Sequence, residues 1–288
     1  MNESPFFVGI GAQKGGTTWL AKYFASHSQV GFSPIKELHY FDAKYHPELS
    51  GHFDQKMVKR LGKAAQKLGK SPTPRQLRMV QCRTLRVEMM ADERRYVDYF
   101  NLLRTDDTVT VGEITPAYSM LNVEGFEAMK RLFPEAKALF SLRDPMARFW
   151  SHLRMHETRQ GKRKFSAEEM VQESIDDPQY IVRTDYERTL KELYKVFDKE
   201  DVHVLFFEHL MDPDSHVAEL GQVNDFLGID HQPSRLDKRV NASKKIELSP
   251  ETEAVIVQKF ASVYETAFEM FGDRVPDAWR KNYELIDR

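Results

Sequence analysis

The chain has one cysteine, Cys82, among 288 residues. That excludes an internal disulfide and a cysteine-ligated metal cluster, and it suits a reducing compartment. No stretch approaches the ~18–20 consecutive apolar residues of a membrane-spanning helix. The opening MNESPFFVGIGAQKGG has neither a basic leader nor a long apolar core, so it does not read as a secretory signal. A soluble, cytoplasmic protein is expected, with peripheral membrane contact left open. Net charge is also lacking. The 42 Lys and Arg nearly balance 44 Asp and Glu, which argues against a protein that coats nucleic acid. There is no HExxH and no dense Asp/Glu set, so no metal is expected. Repeats and low-complexity tracts are absent as well.

What is present is enough apolar material for a core. Hydrophobic residues make up 41% and aromatics 11%, which excludes a disordered chain. The length suits one large domain, taken here as 1–288. The balanced charge hides a local excess. From Lys56 to Arg86 there are ten basic residues and no acidic one, leaving 32 basic against 44 acidic elsewhere. Ser71-Pro72-Thr73-Pro74 divides that stretch into two helical pieces. Residues 43–107 read as a basic helical insertion or lid. Its charge is either a solvated helical face or a positive wall that draws an anionic substrate or a membrane surface toward a cleft.

Short apolar runs alternate with helical periodicity along the chain. Strands are expected at Pro5–Gly11, Thr108–Gly112, Ala136–Leu142 and Val202–Phe207. Helices are expected at Thr17–Ser26, Gly125–Phe133, Ala147–Gln160, Asp185–Phe197, Val217–Leu227 and Pro250–Phe271. This alternation argues for an α/β fold on a mainly parallel sheet, with ligands where strands hand over to helices.

The first handover is Gly9-Ile10-Gly11-Ala12-Gln13-Lys14-Gly15-Gly16-Thr17-Thr18-Trp19. Paired glycines let backbone N–H groups converge on an anion, and the following helix adds its positive end. Lys14 supplies a full charge, and Thr17 and Thr18 supply hydroxyls. The order is not that of a Walker A loop, because Lys14 precedes both Gly15 and Gly16. That departure weakens a kinase or ATPase reading.

Lys-Gly-Gly-Thr-Thr-Trp-Leu resembles the 5′-phosphosulfate loop of sulfotransferases that use 3′-phosphoadenosine 5′-phosphosulfate (PAPS). A second site is similar too: Arg143-Asp144-Pro145-Met146-Ala147-Arg148-Phe149-Trp150-Ser151 looks like the family's strand-to-helix turn. Lys36-Glu37-Leu38-His39-Tyr40-Phe41-Asp42 resembles the Lys-Glu-x-His segment of the carbohydrate, heparan-type branch. Asn241-Ala242-Ser243-Lys244-Lys245 resembles the late loop that closes over the cofactor phosphates. Glu113-Ile114-Thr115-Pro116-Ala117-Tyr118 is similar to a Glu-Lys-Ser/Thr-Pro-x-Tyr segment, with Ile114 where the family has lysine. Trp19 leans toward the cytosolic branch, in which this tryptophan stacks on adenine, whereas Phe207 departs from it, standing where some cytosolic relatives carry a tyrosine.

The resemblance implies a three-layer α/β/α, P-loop-NTPase-like sulfotransferase fold, PAPS as donor and adenosine 3′,5′-bisphosphate as product, without a required metal. It implies cofactor contacts from Lys14, Gly15, Gly16, Thr17, Thr18, Trp19, Arg143, Ser151, Ser243, Lys244 and Lys245. Arg143 and Ser151 would hold the 3′-phosphate. Lys14 would stabilise charge on the leaving phosphate, with Lys244 a weaker partner. Glu37 is the first candidate for general base and His39 the second. Lys36 would tune Glu37 or turn toward the sulfonate, and Lys36 or the late loop would replace the charge missing at Ile114. The acceptor is a hydroxyl, favoured on a carbohydrate or glycoconjugate, with a lipid or small metabolite as the alternative. A silent nucleotide-binding module is the alternative of another class.

Overall fold

The computed structural model describes residues 5–50, 52–160, 166–234, 236 and 246–287. The sheet has five parallel strands: β1 (Phe6–Gly11), β2 (Val30–Phe32), β3 (Thr110–Ile114), β4 (Lys137–Leu142) and β5 (Val202–Phe206). Their order is β2-β3-β1-β4-β5. β1 is central and every one of its residues is buried. Burial on both faces explains why it reads as a continuous apolar run rather than an alternating one. Phe6, Val8 and Ile10 face one apolar cluster, and Phe7 faces the other. The fold is therefore a three-layer α/β/α sandwich. β3 and β4 flank β1, so the chain reverses its direction of progress across the sheet at β1. The crevice above its carboxyl end is where such sheets bind ligands.

The helices, in order, are α1 (Thr17–Ser26), α2 (Phe41–Tyr45), α3 (Pro47–Ser50), α4 (Phe53–Gln66), α5 (Pro74–Glu88), α6 (Arg94–Leu102) and α7 (Val123–Leu132). Then follow α8 (Pro145–Gln160), α9 (Ala167–Ser174), α10 (Pro178–Ile181), α11 (Tyr186–Leu193), α12 (Phe207–Met211), α13 (His216–Leu227), α14 (Pro250–Lys259), α15 (Ala261–Phe271) and α16 (Asp277–Tyr283). Among the described residues, no helix is long and apolar enough to cross a membrane. α1 and α13 cover one face of the sheet, and the larger second cluster lies under the remaining layer.

Several boundaries differ from expectation for physical reasons. β3 starts at Thr110, where the ladder to Val30 begins, not at Thr108. β2 has three residues, too few to show a period. α11 stops at Leu193 rather than reaching Phe197. The 250–271 stretch is two helices, because buried Phe260 (φ −107°, ψ 18°) breaks the helical path between α14 and α15. In the basic stretch, Thr73 and Gln76 form a reciprocal capping box that starts α5 after the Pro72 turn. Met57, Cys82, Met89, Tyr96, Tyr99 and Phe100, all from 43–107, belong to the same apolar cluster as the sheet residues.

Candidate active site

The loop from β1 to α1 is folded back on itself. Gly15 N–H donates to Ala12 O (2.9 Å), and Ala12 N–H donates to Ser141 O on β4 (2.7 Å). A Cβ on Gly15 would lie 2.5 Å from Ser141 O, so only glycine fits there. Gly16, with φ 81°, precedes α1, and no side chain caps the helix. Among the described residues the amides of Thr17 and Thr18 have no acceptor, and they open at the helix's positive end. Lys14 sits in the left-handed region (φ 76°). An anion cradle of backbone N–H groups is thus preformed at the carboxyl end of β1.

Arg143 follows β4 on the other side of the loop. Its Nη1 donates to Lys14 O (3.0 Å), its guanidinium lies 4.6 Å from the Phe207 ring centroid, and its Nε is buried with no partner among the described residues. A Cβ on Gly16 would meet that same Phe207 ring at 2.9 Å. Phe207 therefore supports both the loop and the arginine. Tyr186 Oη donates to Arg143 O (2.7 Å). The turn below is fixed by a buried carboxylate pair. Asp144 accepts from Ala147 N–H (2.8 Å), Tyr264 Oη (2.9 Å) and Asn282 Nδ2 (3.0 Å), while Glu208 accepts from Asp144 N–H (3.0 Å) and Trp279 Nε1 (3.0 Å). Burial, then the Glu208 charge, pushes the Asp144 carboxyl up to about 7. Ser151 is buried six residues into α8. A cavity of about 410 Å³ adjoins Arg143, bounded by Ala147, Trp150, Arg154, Ile246 and Leu248. Trp150 Nε1 donates to Ile246 O (3.0 Å). Ser243, Lys244 and Lys245 lie outside the described residues. Trp19 stacks on Tyr23 (5.8 Å, 7°) and meets His216 edge-on.

The segment from Lys36 to Asp42 joins this loop through a chain of polar contacts. Lys36 Nζ donates to Thr18 Oγ1 (2.5 Å) and lies 3.5 Å from Glu37 Oε1. His39 donates from Nε2 to Glu37 Oε2 (3.3 Å) and from Nδ1 to Asp42 Oδ2 (2.8 Å). The imidazole also stacks on Phe53 (3.5 Å). Burial opposes ionisation of Glu37, but the His39 hydrogen bond and the Lys36 and His39 charges outweigh it and hold its pKa below the usual value. Burial likewise opposes charging of His39, and the bonds to Asp42 and Glu37 with their charges outweigh it, raising His39 to about 9. At neutral pH the group is an ionised, half-buried carboxylate braced by an imidazolium whose two N–H groups are both committed.

Three features here had no signal in local sequence spacing. Arg86, fully buried, donates from Nε to Leu38 O (2.7 Å) and from Nη2 to His39 O (2.8 Å) and Asp54 Oδ1 (2.7 Å). It belongs to the basic stretch, yet it clamps backbone. Glu113, also fully buried, accepts from Tyr96 Oη (2.6 Å), Thr115 Oγ1 (2.6 Å), Tyr118 Oη (2.9 Å) and Leu38 N–H (3.3 Å). Ile114, where a lysine was expected, is a core residue against Gly9. Lys36 brings a cation to the loop, its Nζ donating to Thr18 Oγ1. Among the described residues no group of three or more His, Cys, Asp or Glu side chains is arranged to hold a metal ion.

A loop of open backbone N–H groups, a part-buried arginine across from it and an ionised carboxylate beside it meet at the carboxyl end of β1. The chain belongs to the sulfotransferase family, whose profile matches residues 5–233, and it is an enzyme of that class. It is similar in fold to a sulfotransferase from Alicyclobacillus acidocaldarius, with 23% identity, 96% of this chain and 98% of that one covered, and a TM-score of 0.61. A sulfotransferase domain from the curacin biosynthetic pathway (16% identity, 81% and 76% covered, TM-score 0.47) is more distant. So is one from the Synechococcus PCC 7002 olefin synthase (16%, 90% and 94%, 0.46). No curated protein matches the chain at a significant level.

Proposed function

We propose that this enzyme transfers a sulfuryl group from PAPS to an acceptor hydroxyl, with Glu37 as general base and Lys14 as the cation at the leaving phosphate. The observation that carries the reading is the Thr18–Lys36–Glu37–His39–Asp42 chain, which fixes an ionised carboxylate beside the anion cradle. Arg143 Nε, unpartnered among the described residues, and the Gly15–Gly16 backbone fit a donor with two phosphate groups. PAPS supplies an activated sulfuryl group whose leaving group is already an anion. Glu37 takes the proton of the attacking hydroxyl, so the acceptor oxygen gains its bond to sulfur as the bond from sulfur to the bridging oxygen breaks. Lys14 and the Thr17 and Thr18 amides meet the charge that develops there, and Thr18 and Lys36 orient the transferred group. Arg143 and Ser151 hold the 3′-phosphate, and Trp19 stacks on adenine. Ser243, Lys244 and Lys245 are assigned to the same phosphates on sequence alone. His39, with both ring nitrogens engaged, acts as a positioning residue rather than a base.

The packing of Met57, Cys82 and Tyr96 into the common core supports a single domain with 43–107 as a built-in insertion. A carbohydrate or glycoconjugate acceptor follows from the Lys-Glu-x-His segment. A lipid or small-metabolite acceptor is favoured by a partly apolar cavity beside Lys36.

Isothermal titration with adenosine 3′,5′-bisphosphate, without metal, tests the donor. Binding by wild type that Arg143→Ala loses is the expected result. In PAPS turnover, Glu37→Gln should keep nucleotide affinity and lose about 10²-fold or more in rate. No binding by wild type would overturn the donor, and wild-type turnover by Glu37→Gln would remove Glu37 from its role.

A further inference from the structure

A cavity of about 540 Å³ lies between α1, β2 and the start of α5. Thr18, Ala21, Lys22 and Ala25 line it from one face of α1, at the three- and four-residue spacing that puts side chains in a row. Arg75 and Arg78 line it from the first turns of α5. Phe32, Met79 and Leu103 give it apolar walls, and Lys36 stands at the edge nearest Glu37. Four cations therefore face one cavity, and none of the described residues lining it is acidic. Lys22, Arg75 and Arg78 have no ion-pair partner among the described residues, so their charges are uncompensated. A cation set of this kind around partly apolar walls selects a ligand with one anionic end and an apolar body.

We infer that this cavity is the acceptor pocket and that the acceptor is an anionic amphiphile. Its carboxylate, phosphate or sulfate end pairs with Arg75, Arg78 and Lys22, its apolar body lies on Phe32, Met79 and Leu103, and its hydroxyl reaches Glu37 past Lys36. The inference rests on the proposed sulfuryl transfer. It gives part of the basic stretch a role in binding, separate from that of Arg86.

The test uses two probes of equal length, 12-hydroxydodecanoate and 1,12-dodecanediol, titrated into the enzyme saturated with adenosine 3′,5′-bisphosphate. Wild type should bind the hydroxy acid about tenfold or more tighter than the diol. The Arg75→Gln/Arg78→Gln variant should lose that preference while keeping its affinity for the diol and for the nucleotide. The same ranking should appear in KM for PAPS-dependent turnover, with kcat little changed. Equal affinity for the two probes in wild type, no binding of either, or a preference that survives in the variant would overturn the pocket assignment. Absence of nucleotide binding by wild type, read in the first titration, would overturn the donor reading and the pocket assignment with it.

Discussion

Raising the pH from 7 to 10 removes the proton that lets His39 donate to both Asp42 and Glu37. The imidazole titrates at about 9 in the fold against 6.5 when exposed, and its side chain is 8% accessible, so solvent screens the pair weakly. A gap of roughly 2.5 units is worth about 3 kcal/mol. The sign follows from the direction. The folded state binds the proton more tightly, so the stabilisation is complete below pH 6.5 and is lost as the pH rises through 9. Urea unfolding of wild type and His39→Gln at half-unit steps from pH 5.5 to 10 reads this directly. The difference in unfolding free energy should be flat up to about 6.5 and should then shrink by about 3 kcal/mol by pH 10. Imidazole NMR gives an independent titration of the same ring. An His39 midpoint at or below 6.5, or a difference that ignores pH, would refute the argument that both ring nitrogens are committed to carboxylates.

Arg86→Met leaves the carbonyls of Leu38 and His39 buried without donors; a loss of about 3 kcal/mol in thermal or urea unfolding is expected, together with a lower kcat at unchanged affinity for adenosine 3′,5′-bisphosphate. Gly15→Ala places a methyl 2.5 Å from the Ser141 carbonyl, which is backbone and cannot swing aside. Nucleotide affinity should fall at least about tenfold, as titration calorimetry would show. Asp144, raised from 3.8 to about 7, makes the folded state the stronger proton binder between those values, so its contribution to stability declines as pH rises from 4 to 7. Asp144→Asn, which retains an acceptor for Tyr264 Oη, should flatten that decline in unfolding measurements over the same range.

Contiguity decided what was legible. The Lys14–Trp19 loop, the Arg143 turn and the Lys36–Asp42 segment are each continuous runs, so residue types and their order carry the chemistry before any fold is known. The sheet's parallel nature was equally readable from apolar runs separated by helices. β2, at three residues, was below what a period reading detects. The break at Phe260 was hidden because α14 and α15 keep one apolar stripe across it. Arg86 reaches Leu38 across 48 positions, and Tyr96 reaches Glu113 across 17, from different elements. Nothing in local spacing tells a buried clamp from a solvated cation, so Arg86 looked like Lys59 or Lys63. Ile114 is a core residue against Gly9, which its place in a motif does not reveal, and Lys36 reaches Thr18 from another segment.

The backbone explains why so much buried polar machinery surrounds one short segment. Lys14, Glu37 and His39 have φ of 76°, 64° and 51°, a region that costs a residue with a Cβ roughly 1–2 kcal/mol. Glu37 and His39 need this bend, because two left-handed residues around buried Leu38 bring their side chains to 3.3 Å. Such a bend survives only where neighbours fix it. Leu38 N–H is held by Glu113, the Leu38 and His39 carbonyls by Arg86, and Tyr40 N–H by Tyr118 Oη (3.1 Å). Burial raises the Glu113 carboxyl, and three hydroxyl donors work against that rise. A carboxylate with so costly an environment adds little to net stability. Its use is to leave the Glu37–His39 bend one arrangement, so the proposed base meets its acceptor with its orientation already fixed.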